Sequence, residues 1–269
     1  MLRFLRKLVP RRLKRAVRRR QEAHLKSKMF GALAPMVPAT EDMFDGPGSL
    51  EEFKANGEEF LNIYRTIGGL QPEERILDVG SGIGRKTIPL TQYLSRSASY
   101  EGIDVNASGV EWCRRTIRSR FPNFNFQWID VQNRFYNPAG TRQPAEYRFP
   151  FADGAFDFVT AGSVFTHMMP GDVEHYLSEI ARVLAPRGRC LISYFLLNED
   201  SRRNPTFTIV RDGYATVSAD VPETAIALEE DFVRSLYARA GLKITRLDYG
   251  SWSGGVGSLT YQDLILATA

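Results

Sequence analysis

At 269 residues the chain has room for one large α/β domain and short additions. Its 43% hydrophobic and 25% charged residues are ordinary for a folded soluble domain, and its longest apolar-rich run, Leu191 to Leu197, is far short of the roughly twenty residues that span a bilayer as a helix. Two cysteines, Cys113 and Cys190, give no disulfide framework and read as packing residues, in keeping with a reducing compartment.

The net charge of +4 hides a division. Residues 1–28 hold twelve of the 35 Lys and Arg but one of the 31 acidic residues, so the rest of the chain carries a net charge of −7. An acidic body argues against a broad platform for nucleic acid. Within 1–28, Leu2, Leu5, Val9 and Leu13 recur at helical spacing among the arginines, and Pro10 starts a second helix or kinks the first. Such a segment fits an anionic membrane surface. A solvated charged tail fits equally well, and attachment to nucleic acid is the weaker alternative.

Residues 29–48, with Asp45-Gly46-Pro47-Gly48 at their end, read as a linker. Ser49 and Glu52 then form a capping box for a helix with an apolar side of Phe53, Phe60, Tyr64 and Ile67, stopped by Gly68-Gly69. That helix is placed to cover one side of a ligand pocket. Strands are expected at 75–79, 99–105, 125–131, 156–161 and 189–195, with helices between most of them, which implies a parallel sheet with helices on both faces. Lys243–Tyr249 and Leu259–Ala267 lack a helix between them and should close the sheet as an antiparallel pair. The chain thus divides into a basic amphipathic segment (1–28), a linker and N-terminal helix (29–71), and a main domain (72–269). Two stretches lengthen that domain near the carboxyl edge of its sheet, 132–148 and 196–228; the second carries a hairpin signal around Asp212-Gly213. Their aromatics and arginines (Tyr136, Arg142, Tyr147, Arg202, Arg203, Tyr214) suit a polar, anionic or glycosidic substrate, or simply solvent.

The chemistry concentrates in Ile76-Leu77-Asp78-Val79-Gly80-Ser81-Gly82-Ile83-Gly84. Glycines after an apolar strand let a ligand approach the backbone. Asp104 ends the next strand, twenty residues after Gly84, where a carboxylate is placed to accept from a ribose diol. A nicotinamide-binding domain shares these features. Against it stand the G-x-G-x-G spacing, Asp78 placed to pair with an ammonium group, and the helix-free closing strands.

With Gln127–Val131, Phe149–Asp157, Ser163–Met168 and Leu177–Leu184 in this order and spacing, residues 72–195 resemble a class I S-adenosylmethionine-dependent methyltransferase of the broad bacterial group acting on small molecules and glycans. The resemblance implies a Rossmann-like sheet of seven mostly parallel strands, with the donor lying across their carboxyl ends. It implies that Asp78, Gly80, Ser81, Gly82 and Gly84 line the methionine end and Asp104, followed by Val105, holds the ribose. Asp130 with Val131 would then meet the adenine edge, and Ser163 would approach the reactive methyl. His167, after the fourth strand, stands where a neutral imidazole takes a proton from a substrate hydroxyl; its other reading is a histidine bonded to backbone in an apolar setting. Three histidines without a ligand cluster give no support to a metal site. The expected acceptor is a small molecule or glycan, lipid-linked acceptors included, met in the cytoplasm or at the cytoplasmic membrane face. An RNA methyltransferase and a non-catalytic cofactor-binding module are the rival readings.

Overall fold

The computed structural model describes residues 11–269 apart from Pro47 and Val256, with the side chains of residues 11–16 also left undescribed. The expectations for residues 1–10, including the role of Pro10, lie outside the described residues. Helix α1 (Arg11–Phe30) runs into a tight turn, Gly31–Met36, that folds back on it. Lys26 donates to the Val37 carbonyl at 3.2 Å, and the Thr40 N–H donates to Glu22 at 2.7 Å. The stretch that reads as a linker is therefore packed. Met36 and Val37 are buried, and the Trp112 indole N–H donates to the Met36 carbonyl.

Helix α2 (Leu50–Thr66) starts as its cap predicts, with the Glu52 N–H donating to the Ser49 hydroxyl at 3.2 Å. The Glu52 carboxylate accepts from that hydroxyl rather than from the Ser49 N–H. The main sheet then follows in alternation: β1 (Arg75–Val79), α3 (Thr87–Tyr93), β2 (Ser99–Asp104), α4 (Ala107–Cys113), β3 (Phe124–Trp128), β4 (Phe156–Ala161), α5 (Pro170–Val183) and β5 (Leu184–Tyr194). After a second small sheet come α6 (Glu230–Arg239), β10 (Lys243–Asp248) and β11 (Asp263–Thr268). Across the sheet the order is β10-β11-β5-β4-β1-β2-β3, with β11 antiparallel to both of its neighbours. This is the expected Rossmann-like, seven-stranded sheet with its closing antiparallel pair. β3 ends at Trp128 rather than Val131, and β11 begins at Asp263 rather than Leu259.

Strand alternation sorts the core into two layers. Leu77 and Val79 face one side with Val173, Leu177 and Ile180 of α5. Ile76 faces the other, with Phe53, Phe60 and Tyr64 of α2 and Tyr100, Phe124 and Phe126 of the neighbouring strands. By the same alternation Asp78 lies on the α2 side, where a carboxylate is buried among aromatics. Both cysteines are free and buried in these layers.

Residues 196–229 build more than a hairpin. β6 (Leu196–Leu197), β9 (Ile226–Glu229), β8 (Tyr214–Thr216) and β7 (Ile209–Arg211) form a four-stranded sheet, with the turn at Asp212-Gly213 as expected and the first hairpin strand shifted from 206–210. Phe195, Leu197, Phe207, Ala227 and Trp252 give it a small core of its own. Asp263 fastens it to the main sheet: its carboxylate accepts from the Leu196 N–H, the Gly250 N–H and the Trp252 indole N–H at 2.7–2.8 Å. Each buried donor left without a partner costs about 1–3 kcal/mol. Asp263→Ala is therefore expected to lower the melting temperature by on the order of 10 °C in scanning calorimetry. An unchanged transition would show that this carboxylate does not hold the closing loop.

Candidate active site

A cavity of about 500 Å³ opens over the carboxyl ends of β1 to β4, within the range of small-ligand sites. Its floor is the turn after β1. The N–H groups of Gly80 and Ser81 donate to the Ile103 carbonyl at 2.8 and 3.2 Å, which draws the turn across the end of β2. The Gly82 N–H donates to Asp104 at 2.7 Å, and the Asn106 N–H takes the other Asp104 oxygen at 2.7 Å. Gly80 and Gly82 both have left-handed backbones, and side-chain atoms of Val164 and Asp45 stand within 2.3 Å of where their Cβ atoms would lie. No other residue type fits there.

Two buried acids mark the floor. Asp78 accepts from the Tyr100 hydroxyl at 2.6 Å through one oxygen; the other has no hydrogen-bond partner. Burial raises the Asp78 carboxyl above its ordinary range, against the pull of nearby Lys86. Lys86 donates to the Gly162 carbonyl, lies 5.0 Å above the Phe60 ring, and is itself shifted downward by burial. Asp45, from the folded-back N-terminal stretch, reaches over the turn to pair with Arg85 at 2.9 Å.

Along the far wall lie Val105, Ile129, Val131, Asn133, Phe135 and Tyr136. Across from them, Ser163 has a left-handed backbone (φ 61°), a strained conformation for a residue with a Cβ. Its N–H donates to the Ser193 hydroxyl at 2.7 Å, and both serine hydroxyls donate to Oε1 of Gln262, at 2.9 and 2.7 Å. That chain turns the Gln262 amide N–H groups away from the serines. His167 completes the mouth. Its Nδ1 lies 2.9 Å from the Glu223 carbonyl and so carries the proton, leaving the Nε2 lone pair available. Burial holds its pKa below the ordinary 6.5, so the ring is neutral at pH 7. Phe135 lies nearly parallel to it at 6.2 Å and Tyr136 edge-on at 5.2 Å.

Of the residues singled out in the sequence, Gly80, Gly82, Asp104, Val105, Val131, Ser163 and His167 line this cavity. Asp78 is buried just beneath its floor. Ser81 and Gly84 do not line it. Ser81 packs under the turn against Gly102, and Gly84 makes room for Cys113 and Ile117 of the α4 region. Asp130 follows β3, which ends at Trp128; its carboxylate accepts from the Thr141 hydroxyl, and its neighbours Ile129 and Val131 line the cavity. Arg142, Tyr147, Arg202, Arg203 and Tyr214 are likewise absent from the wall. Arg202 pairs with Glu229, and Arg203 with Asp200. His175 is half-buried and bonded to the Tyr147 carbonyl. Sequence reasoning missed Asp45, Lys86, Asn133 and Gln262; only Lys86, two residues past the last glycine, carried a local signal. Among the described residues no cluster of three or more metal-binding side chains occurs.

Comparison with known proteins agrees with this geometry. A family model described as a methyltransferase domain matches residues 77–192. Over those residues the chain is similar to a methyltransferase domain, and they lie on the Rossmann-like sheet that carries the glycine turn. Among curated relatives, a fatty-acid O-methyltransferase from Mycolicibacterium smegmatis is 30% identical over 167 residues, covering 62% of this chain and 46% of that one. A ubiquinone/menaquinone biosynthesis C-methyltransferase from Wigglesworthia glossinidia brevipalpis is 29% identical, covering 50% and 48%. The chain spans less than half the length of these relatives. Among solved structures, a protein from Pyrococcus horikoshii OT3 superposes with a TM-score of 0.58 at 16% identity, covering 89% of this chain and 99% of that one. A SAM-dependent methyltransferase from Aquifex aeolicus does so with a TM-score of 0.50 at 17% identity, covering 91% and 97%. At these identities the structures speak for the fold alone.

Burial lifts the Asp104 carboxyl from 3.8 to about 6, against its two backbone hydrogen bonds. Because the folded value lies above the unfolded one, folding takes up a proton here. The stabilisation is complete below about pH 4 and lost as pH rises through 6. Asp104→Asn removes that dependence. Its stability relative to the parent, by urea denaturation, should therefore improve by on the order of 2–3 kcal/mol between pH 4 and pH 7.5. A difference independent of pH would contradict the burial of a titrating Asp104.

Proposed function

We propose that the protein transfers a methyl group from S-adenosylmethionine to an oxygen or nitrogen of a small-molecule acceptor. The observation that carries this reading is the cavity itself, with a glycine turn and buried acids at one end and a neutral, oriented imidazole at the other. The residues fit the donor. Asp78 with the turn from Gly80 to Gly84 would hold its methionine end, Asp104 its ribose diol, and Val105 and Val131 the faces of its adenine. Ser163 would stand near the transferable methyl. The bound donor supplies an electrophilic sulfonium methyl.

The chain's own part is orientation and exclusion of water. His167 Nε2 accepts the proton of a hydroxyl nucleophile as it attacks, while the Glu223 carbonyl keeps Nδ1 protonated and steadies the ring. For a carboxylate or neutral amine nucleophile the same ring would serve only to position it. Phe135, Tyr136, Met168 and Tyr176 give the acceptor side an aromatic and apolar wall, which favours a flat or apolar acceptor body over an anionic one. A lipid or quinone-like molecule fits this wall, as does a sugar stacked on a ring. The relatives named for fatty-acid and quinone methylation support the apolar choice.

The basic segment 1–28 is proposed as an anionic-membrane contact that brings such acceptors near. Arg18, Arg19 and Arg20 are exposed on α1, and no described helix is long and apolar enough to cross a membrane. Vesicle flotation with and without residues 1–28 tests this role.

A radiolabelled-methyl assay on fractionated source-cell extract tests the transfer itself: one fraction should be labelled, and none is labelled if the reading is wrong. On that fraction His167→Ala is expected to lose about 100-fold or more in rate. Donor affinity in the same variant should stay within about threefold, since His167 makes no donor contact in this scheme. A full rate retained would remove the base role.

A further inference from the structure

The methionine end of the cavity holds two opposite charges that are not paired with each other. Lys86 bonds a neutral carbonyl, that of Gly162, and rests on the Phe60 ring. Among the described residues it forms no ion pair. Asp78, just below the floor, keeps one carboxylate oxygen without a partner. The neighbouring charges are engaged: Arg85 is paired with Asp45 and stacked at 5.1 Å over Phe53, and both Asp104 oxygens accept backbone N–H groups. Leaving an ammonium and a carboxylate half-satisfied so close together is costly unless a ligand completes both.

The missing complement is a zwitterion. An α-ammonium placed toward Gly162 and Asp78 would answer the anion and the carbonyl, and an adjacent α-carboxylate would answer the cation. A diphosphate bridge would meet the Asp78 charge instead. Gly162 is part of the arrangement, since a Cβ there would lie 2.5 Å from the Lys86 nitrogen.

Resting on the donor reading above, we propose that Lys86 is the counter-ion of the donor's α-carboxylate, parked on the Gly162 carbonyl until the donor's own ammonium takes that carbonyl. Lysine suits the task, being a compact charge on a flexible four-carbon stem that can shift by the width of one hydrogen bond. The pair of exchanges leaves every charge at this end of the cavity matched. It also makes Lys86 specific for the amino-acid portion of the donor, with no part in holding the nucleoside.

The test uses the full chain and two ligands with the same nucleoside and thioether: S-adenosylhomocysteine, and 5′-methylthioadenosine, which lacks the amino-acid group. Calorimetric titrations compare the parent with Lys86→Met and Lys86→Arg. Lys86→Met should weaken S-adenosylhomocysteine by about tenfold or more while leaving methylthioadenosine within about twofold, so that the parent's preference collapses. Lys86→Arg should keep most of the preference. Equal weakening of both ligands by Lys86→Met would mean a merely structural role and overturn the proposal. Tighter binding of S-adenosylhomocysteine would overturn it too, leaving Lys86 as an occupant that the donor must evict. A folded parent that binds neither ligand would instead defeat the donor reading itself, and this inference with it.

Discussion

Where β1 ends, its backbone must turn over the end of β2 while remaining open to a ligand, and the hydrogen bond from Gly82 to Asp104 makes that possible. The bond replaces the sheet pairing that stops at Val79 and Ile103, and it fixes the acid at the mouth of the neighbouring strand. Everything at this end follows from it. Gly80 and Gly82 need left-handed backbones to make the turn, and Val164 and Asp45 fill the space that side chains would have taken. Asp104 is held where burial raises its pKa, so the same contact that shapes the floor also sets its electrostatics.

At the His167 end of the cavity the ordering comes from farther away in the chain. The Glu223 carbonyl that sets the His167 tautomer belongs to the excursion after β5, in the turn between β8 and β9, so that excursion orients the imidazole, and Thr224 of the same turn lines the cavity. Gln262 is placed by a different route. Asp263, saturated by three N–H donors, anchors the residue beside it, and the two serine hydroxyls settle the direction of its amide. His167 and Gln262 are thus each oriented by contacts from distant parts of the chain.

The alternation of strands and helices was legible because each β–α unit carries its own period, and Asp104 was legible because its distance from the glycines reflects the length of one such unit. The second sheet was not. β6 spans only Leu196–Leu197, and its pairing with β9 joins residues about thirty positions apart. Lys86, Asp45 and Gln262 were hidden more deeply. A charged or amide side chain looks alike in sequence whether it meets water or a cavity, and the burial of Asp45 depends on a stretch whose glycines and prolines read as a linker. That stretch packs because Met36 and Val37 find cover beneath Trp112, a contact across more than seventy residues.

On this reading the cavity receives a sulfonium-bearing amino-acid nucleoside and not a dinucleotide. Isothermal calorimetry with S-adenosylmethionine and with NAD, on the same preparation, tests it most directly. Saturable one-to-one binding of S-adenosylmethionine is expected, with no measurable heat of binding for NAD. Tight binding of NAD with none of S-adenosylmethionine would contradict it.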